Sequence, residues 1–142
     1  MLRNIVILTT AALTVVGLAI GGAALAQKPQ NPSLSSSPIK RTLIGKIEVP
    51  GSNYEVVTGM VEIAPGFKAG RHFHPGIVDA TVIDGEFWLA IDGQPEKIYT
   101  AGQSLEVPNR AIHNEGAIGG KPAKLFAVYV VEKGEPMVNP VK

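Results

Sequence analysis

The chain has 142 residues, with 13 basic and 12 acidic side chains, a formal net charge of +1 and no cysteine. The lack of cysteine excludes disulfides, thiolate metal sites and thiol nucleophiles. Nucleic-acid binding usually needs a clustered basic face, and this sequence has no basic run beyond Lys40-Arg41. We therefore expect no nucleic-acid partner.

Residues 1–26 predict an export signal. Arg3 and the amino terminus form a short positive region, residues 5–20 are almost uninterruptedly apolar, and residues 24–26 (ALA) form a small-residue cleavage site before Gln27. The alternative is an uncleaved helix that anchors the protein, since a spanning helix needs about 20 apolar residues. No basic stop-transfer cluster follows, so we expect cleavage, a periplasmic or secreted protein, and no membrane contact afterwards.

Residues 27–40 are rich in Pro, Ser, Gln and Asn and predict a flexible linker. The remaining segment, 41–142, has about 100 residues, which suits a single domain with one hydrophobic core.

Short β-rich segments separated by Gly, Pro, Asn and Asp turns fill this domain. No window shows a sustained apolar period of 3.6 residues, and 16 Gly with 11 Pro would interrupt helices. The predicted strands are 42–49, 54–64, 80–83, 86–91, 96–100, 104–107, 111–113 and 123–131. Many short strands at even spacing predict an all-β sandwich or barrel, with a ligand site at the barrel mouth.

The sequence contains only three histidines, and two of them lie two positions apart. In a strand, residues i and i+2 point to the same face, about 7 Å apart, so His72 and His74 can converge on one ion. His113 follows another strand-like segment. These three residues are the candidate metal ligands.

The glycine, proline and histidine spacing resembles the two motifs of the cupin superfamily. The first motif is matched by Gly66, His72, His74, Pro75, Gly76 and Gly85, and the second by Gly102, Pro108 and His113. The resemblance implies a double-stranded β-helix, that is, a jelly-roll barrel. It also implies one divalent ion, namely Fe, Zn, Ni, Cu or Mn, bound by the motif histidines.

The sequence departs from the motif where a fourth ligand, a glutamate, is expected. Val78 occupies the position fixed by counting back from Gly85, and Asp79 follows it. Neighbouring residues of a strand face opposite sides, so only one of the two can face the barrel interior. Asp79 is the candidate fourth ligand in one register; in the other, Val78 lines the pocket and the site has three neutral imidazoles.

Other residues near the motifs have weaker signals. Arg110 stands where the motif usually has glycine, and we interpret it as a solvated loop residue or a contact for a substrate carboxylate. Residues 114–116 (NEG) predict a turn, and Glu115 is expected at the surface or rim without a partner. The aromatic residues of the strands are expected in the core; they are Phe87, Trp88, Phe126 and Tyr129.

Two functions stay open at this stage. One is an exported metal-binding protein acting on a small polar molecule as an oxygenase, isomerase or lyase. The alternative is a non-catalytic ligand-binding or structural protein with a degenerate metal site. In either case we expect a homodimer, with the apolar strand 123–131 available for pairing. Because one fold supports many reactions, the sequence does not establish turnover.

Overall fold

A computed structural model describes residues 37–142. The predicted signal segment 1–26 and most of the predicted linker lie outside the described residues. The first strand of the described residues begins at Ile39, so the last two residues of the predicted linker, 39 and 40, belong to this strand. Within residues 37–142, no helix is long and apolar enough to cross a membrane.

The described segment is built from ten β-strands in two antiparallel sheets. The strands are β1 (Ile39–Glu48), β2 (Tyr54–Ile63), β3 (His72–Phe73), β4 (Gly76–Asp84), β5 (Glu86–Ile91), β6 (Lys97–Thr100), β7 (Ser104–Val107), β8 (His113–Ile118), β9 (Ala123–Glu132) and β10 (Asn139–Pro140). One sheet has the order β1-β2-β9-β4-β7 and the other the order β10-β3-β8-β5-β6. This is the all-β double-stranded β-helix predicted from the sequence.

The period-two alternation of apolar side chains fixes which face of each strand is buried. On β9, every second residue from Ala123 to Val131 is buried, and on β4 the buried side chains are Val78, Ala80 and Val82. They pack against Phe87 of the opposite sheet in one continuous core. Apolar burial of this kind contributes about 25 cal/mol per Å² removed from water and is the main stabilising term.

The structure corrects the expectation that strand 123–131 is free for pairing between chains. β9 lies in the middle of its sheet and is hydrogen-bonded to β2 on one side and β4 on the other. A strand with two partners has no free backbone groups for a third. One edge of this sheet is β1, which pairs only with β2 and whose Leu43, Ile44 and Ile47 side chains are 58–67% exposed.

A second correction concerns the segment after His113. The strand predicted over 111–113 instead begins at His113 and continues to Ile118, so residues 114–116 are strand and not a turn. Packing requires glycine at position 116, because a Cβ there would lie 2.2 Å from the Phe67 carbonyl oxygen and 2.6 Å from Trp88 Nε1. Because residues 113–118 form a strand, residues 113 and 115 lie on the same face of β8.

Candidate metal centre

The three histidines are brought together by strand pairing in the second sheet. His72 on β3 is directly opposite His113 on β8, and His74 follows β3 immediately. All three side chains are buried, with relative exposures of 3% for His72, 4% for His74 and 0% for His113. His72 and His113, which are 41 residues apart in the sequence, thus become neighbours because β3 pairs with β8.

Their imidazole rings form a compact cluster. The ring centroids are 4.3 Å apart for His72 and His113, and 5.1 Å apart for each pair with His74. One ring nitrogen from each residue lies within 4.8 Å of the others. Imidazole nitrogens bind Zn²⁺ at about 2.0–2.1 Å, and three nitrogens grouped in this way are a donor set for a single ion.

Backbone carbonyls fix the tautomer of each ring. The Nδ1 atoms of His72, His74 and His113 lie 2.8, 2.6 and 2.9 Å from the carbonyl oxygens of Gly70, Met137 and Ala111. A carbonyl oxygen only accepts, so each Nδ1 carries the hydrogen and each Nε2 keeps its lone pair for a ligand. Within the described part of the chain, the buried Nε2 atoms of His72 and His113 have no hydrogen-bond partner.

Burial also favours the neutral form of two of the rings, those of His74 and His113. Desolvation lowers the pKa of His74 to about 4, against the opposing hydrogen bond to the Met137 carbonyl. Desolvation likewise lowers the pKa of His113, although the nearby Glu115 carboxylate opposes the shift. A neutral imidazole is the form that binds a metal, so at neutral pH these two side chains need lose no proton to do so.

The register of β4 separates the two residues considered for the fourth position. Val78 is 5% exposed and lines the small cavity beside His74, whereas Asp79 is exposed on the opposite face. Asp79 is paired with Glu106 of β7 on that outer face. This is the register counted back from Gly85, and it leaves no carboxylate from β4 at the histidine cluster.

Two further side chains at the cluster, Glu115 and Tyr129, were not predicted to lie there. The Glu115 side chain is only 13% exposed, and its Oε2 lies 3.9 Å from His113 Nε2. The Tyr129 ring centroid is 5.4 Å from that of His74, and both new residues line the cavity. Glu115 was expected at the surface or rim with no assigned partner, on a turn over residues 114–116; the structure corrects the turn to strand β8, which places Glu115 in the lining of the cavity. The i+2 spacing from His113 was the available signal.

Asn114 supports the cluster indirectly. Its Oδ1 accepts hydrogen bonds from the backbone N–H of Gly70, at 3.0 Å, and of Glu115, at 2.9 Å. The carbonyl of the same Gly70 is the acceptor for His72 Nδ1. Asn114 thus helps fix the loop that orients His72.

Arg110 lies outside the cluster. Its φ of 56° is in the left-handed region, which explains why glycine is usual at this motif position. Its guanidinium donates a 2.9 Å hydrogen bond to Glu132 and lies 5.7 Å from the Phe73 ring centroid. This side chain is engaged at the surface, as expected for a solvated loop residue.

The cavity beside His74 is small and mostly apolar. About 20 Å³ is open to the centre of a water molecule, and a buried water needs about 10–15 Å³ of such space. Most of its lining comes from core side chains of both sheets, including Ile63, Phe87 and Leu105. Its polar lining residues are His74, Glu115 and Tyr129, so a ligand that enters meets one member of the histidine cluster.

A double-stranded β-helix with buried histidines converging from β3, β8 and the residue after β3 defines the cupin class of barrel. The sequence model of the cupin domain family matches residues 59–129, which is half of the chain. The protein belongs to the cupin domain family. No curated protein shows significant sequence similarity to it.

Solved structures with this fold agree with the assignment. A double-stranded β-helix protein from Klebsiella pneumoniae is 19% identical, with a TM-score of 0.58 over 75% of this chain and 89% of that one. A cupin-like protein from Thermotoga maritima is 20% identical, with a TM-score of 0.59 over 72% and 75%. The DMSP lyase DddQ from Ruegeria pomeroyi is 16% identical, with a TM-score of 0.53 over 60% and 42%. At these identities the likeness concerns the fold.

Proposed function

We propose that this protein is a metal-dependent cupin that binds one divalent ion through Nε2 of His72, His74 and His113. The observation that carries the proposal is the shared tautomer: all three Nδ1 atoms are committed to backbone carbonyls. The buried Nε2 atoms of His72 and His113, which have no hydrogen-bond partner among residues 37–142, are otherwise costly, since an unsatisfied buried polar group costs about 1–3 kcal/mol. A bound ion would satisfy them.

The donor set favours ions of intermediate softness. Imidazole suits Zn, Cu, Ni and Fe, and carboxylate oxygen suits harder ions such as Mn. When bound, the ion would supply Lewis acidity toward an oxygen of a small polar molecule. The chain contributes the fixed orientation of the imidazoles, the apolar walls that exclude bulk water, and two polar groups, Glu115 and Tyr129, facing the same cavity.

The proposed activity is an oxygenase, isomerase or lyase reaction on a small polar molecule. The lyase from Ruegeria pomeroyi shows that this fold accommodates one of these classes. The small size of the cavity favours a second candidate function, the non-catalytic binding of a small ligand or of the ion alone. Long incubation of metal-loaded protein with ligand and oxygen separates the two, because only an enzyme changes the ligand.

We also propose that the protein is exported and forms a homodimer. Export is supported by the apolar run 5–20 and the cleavage site before Gln27. Dimerisation through the edge strand β1 is supported by its exposed Leu43, Ile44 and Ile47 side chains. Cell fractionation and light scattering test the two proposals: protein found only in the cytoplasm contradicts export, and a particle of monomer mass contradicts the dimer. Intact mass separately tests cleavage before Gln27, since a chain beginning at Met1 would mean that the segment is retained.

Metal loading is expected to stabilise the protein strongly. At a free ion concentration 100 times the Kd, binding to the native state alone adds about 2.7 kcal/mol. For a domain of this size, each kcal/mol raises Tm by about 4–8 °C, so an increase of roughly 10–20 °C is expected. Protein purified without a histidine tag and stripped with chelator should regain about one Zn, Ni, Cu or Fe per chain by elemental analysis.

Calcium serves as the control ion, because it prefers oxygen ligands and should leave Tm unchanged. Unchanged Tm and no bound metal with every transition ion tested would contradict the proposed function. It would leave the family assignment intact, since that rests on the fold and the sequence match.

A further inference from the structure

We infer that Glu115 supplies the carboxylate ligand of this metal centre, from β8 in place of β4; this inference rests on the proposed function. The first cupin motif normally provides that carboxylate from the strand that carries Val78 here. The structure places Val78 in the cavity wall and turns Asp79 outward. The acidic group at the cluster comes from the second motif, two residues after His113.

The position of Glu115 follows from the strand geometry of β8. Residues 113 and 115 lie on the same face, so both side chains point toward the interior of the barrel. Glu115 Oε2 is 3.9 Å from His113 Nε2, which is longer than a hydrogen bond and within the 4.8 Å span of the histidine nitrogens themselves. The carboxylate oxygen therefore lies on the side of His113 that a ligand would occupy.

The burial of Glu115 gives independent support. Its side chain is 13% exposed, and within residues 37–142 the structure gives the carboxylate no lysine or arginine partner. A carboxylate that is largely shielded from water gains from a neighbouring cation, which compensates for its lost hydration. A divalent ion at the cluster is the cation that this carboxylate lacks.

Tyr129 lines the same cavity as Glu115. Burial first, and then the negative charge of Glu115, raise the pKa of Tyr129 to about 12. The nearby Arg41 guanidinium partly opposes this rise, and the Tyr129 ring centroid lies 5.4 Å from that of His74. With Glu115 as a ligand, the site has three imidazoles and one carboxylate, and the wall on the β4 side is apolar Val78.

The test compares Glu115→Gln with Asp79→Asn in the full chain. Glutamine is nearly isosteric with glutamate, and its neutral amide is a far weaker ligand, so the fold is preserved while the charged donor is lost. We expect Glu115→Gln to raise the Kd for Mn²⁺ by at least about 10- to 100-fold. The Kd for Zn²⁺ should rise less, because Mn²⁺ depends more on carboxylate oxygen. Asp79→Asn should change neither Kd.

A rescue variant and a spectroscopic measurement make the test specific. Val78→Glu combined with Glu115→Gln returns a carboxylate from β4 and should recover most of the Mn²⁺ affinity. The EPR spectrum of the Cu²⁺-loaded protein should change in Glu115→Gln and stay unchanged in Asp79→Asn. Melting temperatures of the metal-free variants verify that each chain is folded.

The outcomes separate this inference from the proposed function. Wild-type protein that binds no ion contradicts the proposed function itself. Wild-type protein that binds metal, beside a Glu115→Gln variant with the same Mn²⁺ and Zn²⁺ affinities and the same Cu²⁺ spectrum, overturns only the assignment of Glu115. Loss of Mn²⁺ affinity in Asp79→Asn would also overturn it, since the carboxylate would then come from β4.

Discussion

His113→Ala is expected to abolish stoichiometric metal binding while leaving the protein folded. His113 is fully buried at the start of β8 and lies opposite His72 in the sheet. Removing it leaves only two imidazoles, and since loss of a supporting outer-shell group already costs 10–100-fold in affinity, loss of a ligand should cost more than about 100-fold. Elemental analysis after gel filtration should find less than about a tenth of the metal in wild type.

The same substitution should have a smaller effect on the metal-free protein. Alanine creates a cavity, which is destabilising, but it also removes a buried Nε2 that has no partner within the described residues. These contributions oppose each other, so the metal-free variant should melt cooperatively, and the rise in Tm on adding Zn²⁺ should disappear.

His72→Ala and His74→Ala should behave like His113→Ala, and Asp79→Ala provides the matched control. Asp79 is exposed on the outer face of β4, and its removal should leave the metal content unchanged. Full metal retention in all three histidine variants would refute the histidine site. Loss in Asp79→Ala alone would mean that the carboxylate of β4 reaches the ion.

The sequence allowed the fold class and the histidine set to be predicted because both depend on short-range periodicity. Alternating apolar residues in β2 and β9 identify strands, and the i, i+2 spacing of His72 and His74 puts two imidazoles on one face. Counting from Gly85 also favoured the register in which Val78 faces inward. A turn glycine with φ of 78° is a firm anchor for such a count, because few other residues adopt that conformation.

What the sequence did not predict depends on contacts between distant segments. The acceptor for His74 is the Met137 carbonyl, 63 residues away, in the segment that precedes the two-residue strand β10. Strands β3 and β10 are too short to show a period, and they exist because they pair with each other, while β3 also pairs with β8. Only the folded chain shows which carbonyl orients which imidazole.

Glu115 was missed for a different reason. Gly116 resembles a turn signal in a sequence, but here it allows the close approach of Phe67 and Trp88 to the strand. A glycine required by packing and one required by a turn look the same until the neighbours are known. Reading 113–116 as strand would have placed Glu115 beside His113.

Gly76→Ala is expected to destabilise the domain by about 4 kcal/mol or more, in the range reserved for disruption of a core. A Cβ at position 76 would lie 2.0 Å from the Val130 carbonyl oxygen and 2.7 Å from Val131 Cα. Both atoms belong to the backbone of β9, the central strand of its sheet, so the clash cannot be relieved by a side-chain rotation. Tm should fall by at least about 15 °C.

Gly120→Ala is the matched control, because its Cβ would meet nothing within 4 Å and its φ lies outside the left-handed region. It should stay within about 0.5 kcal/mol of wild type.

Gly76 begins β4 two residues after His74, whose carbonyl oxygen accepts a 3.2 Å hydrogen bond from the Arg110 N–H. Displacing β4 from β9 should therefore also move His74 and weaken metal binding in any folded fraction. Equal melting temperatures for Gly76→Ala and Gly120→Ala would show that the sheet accommodates the methyl group and would contradict this prediction.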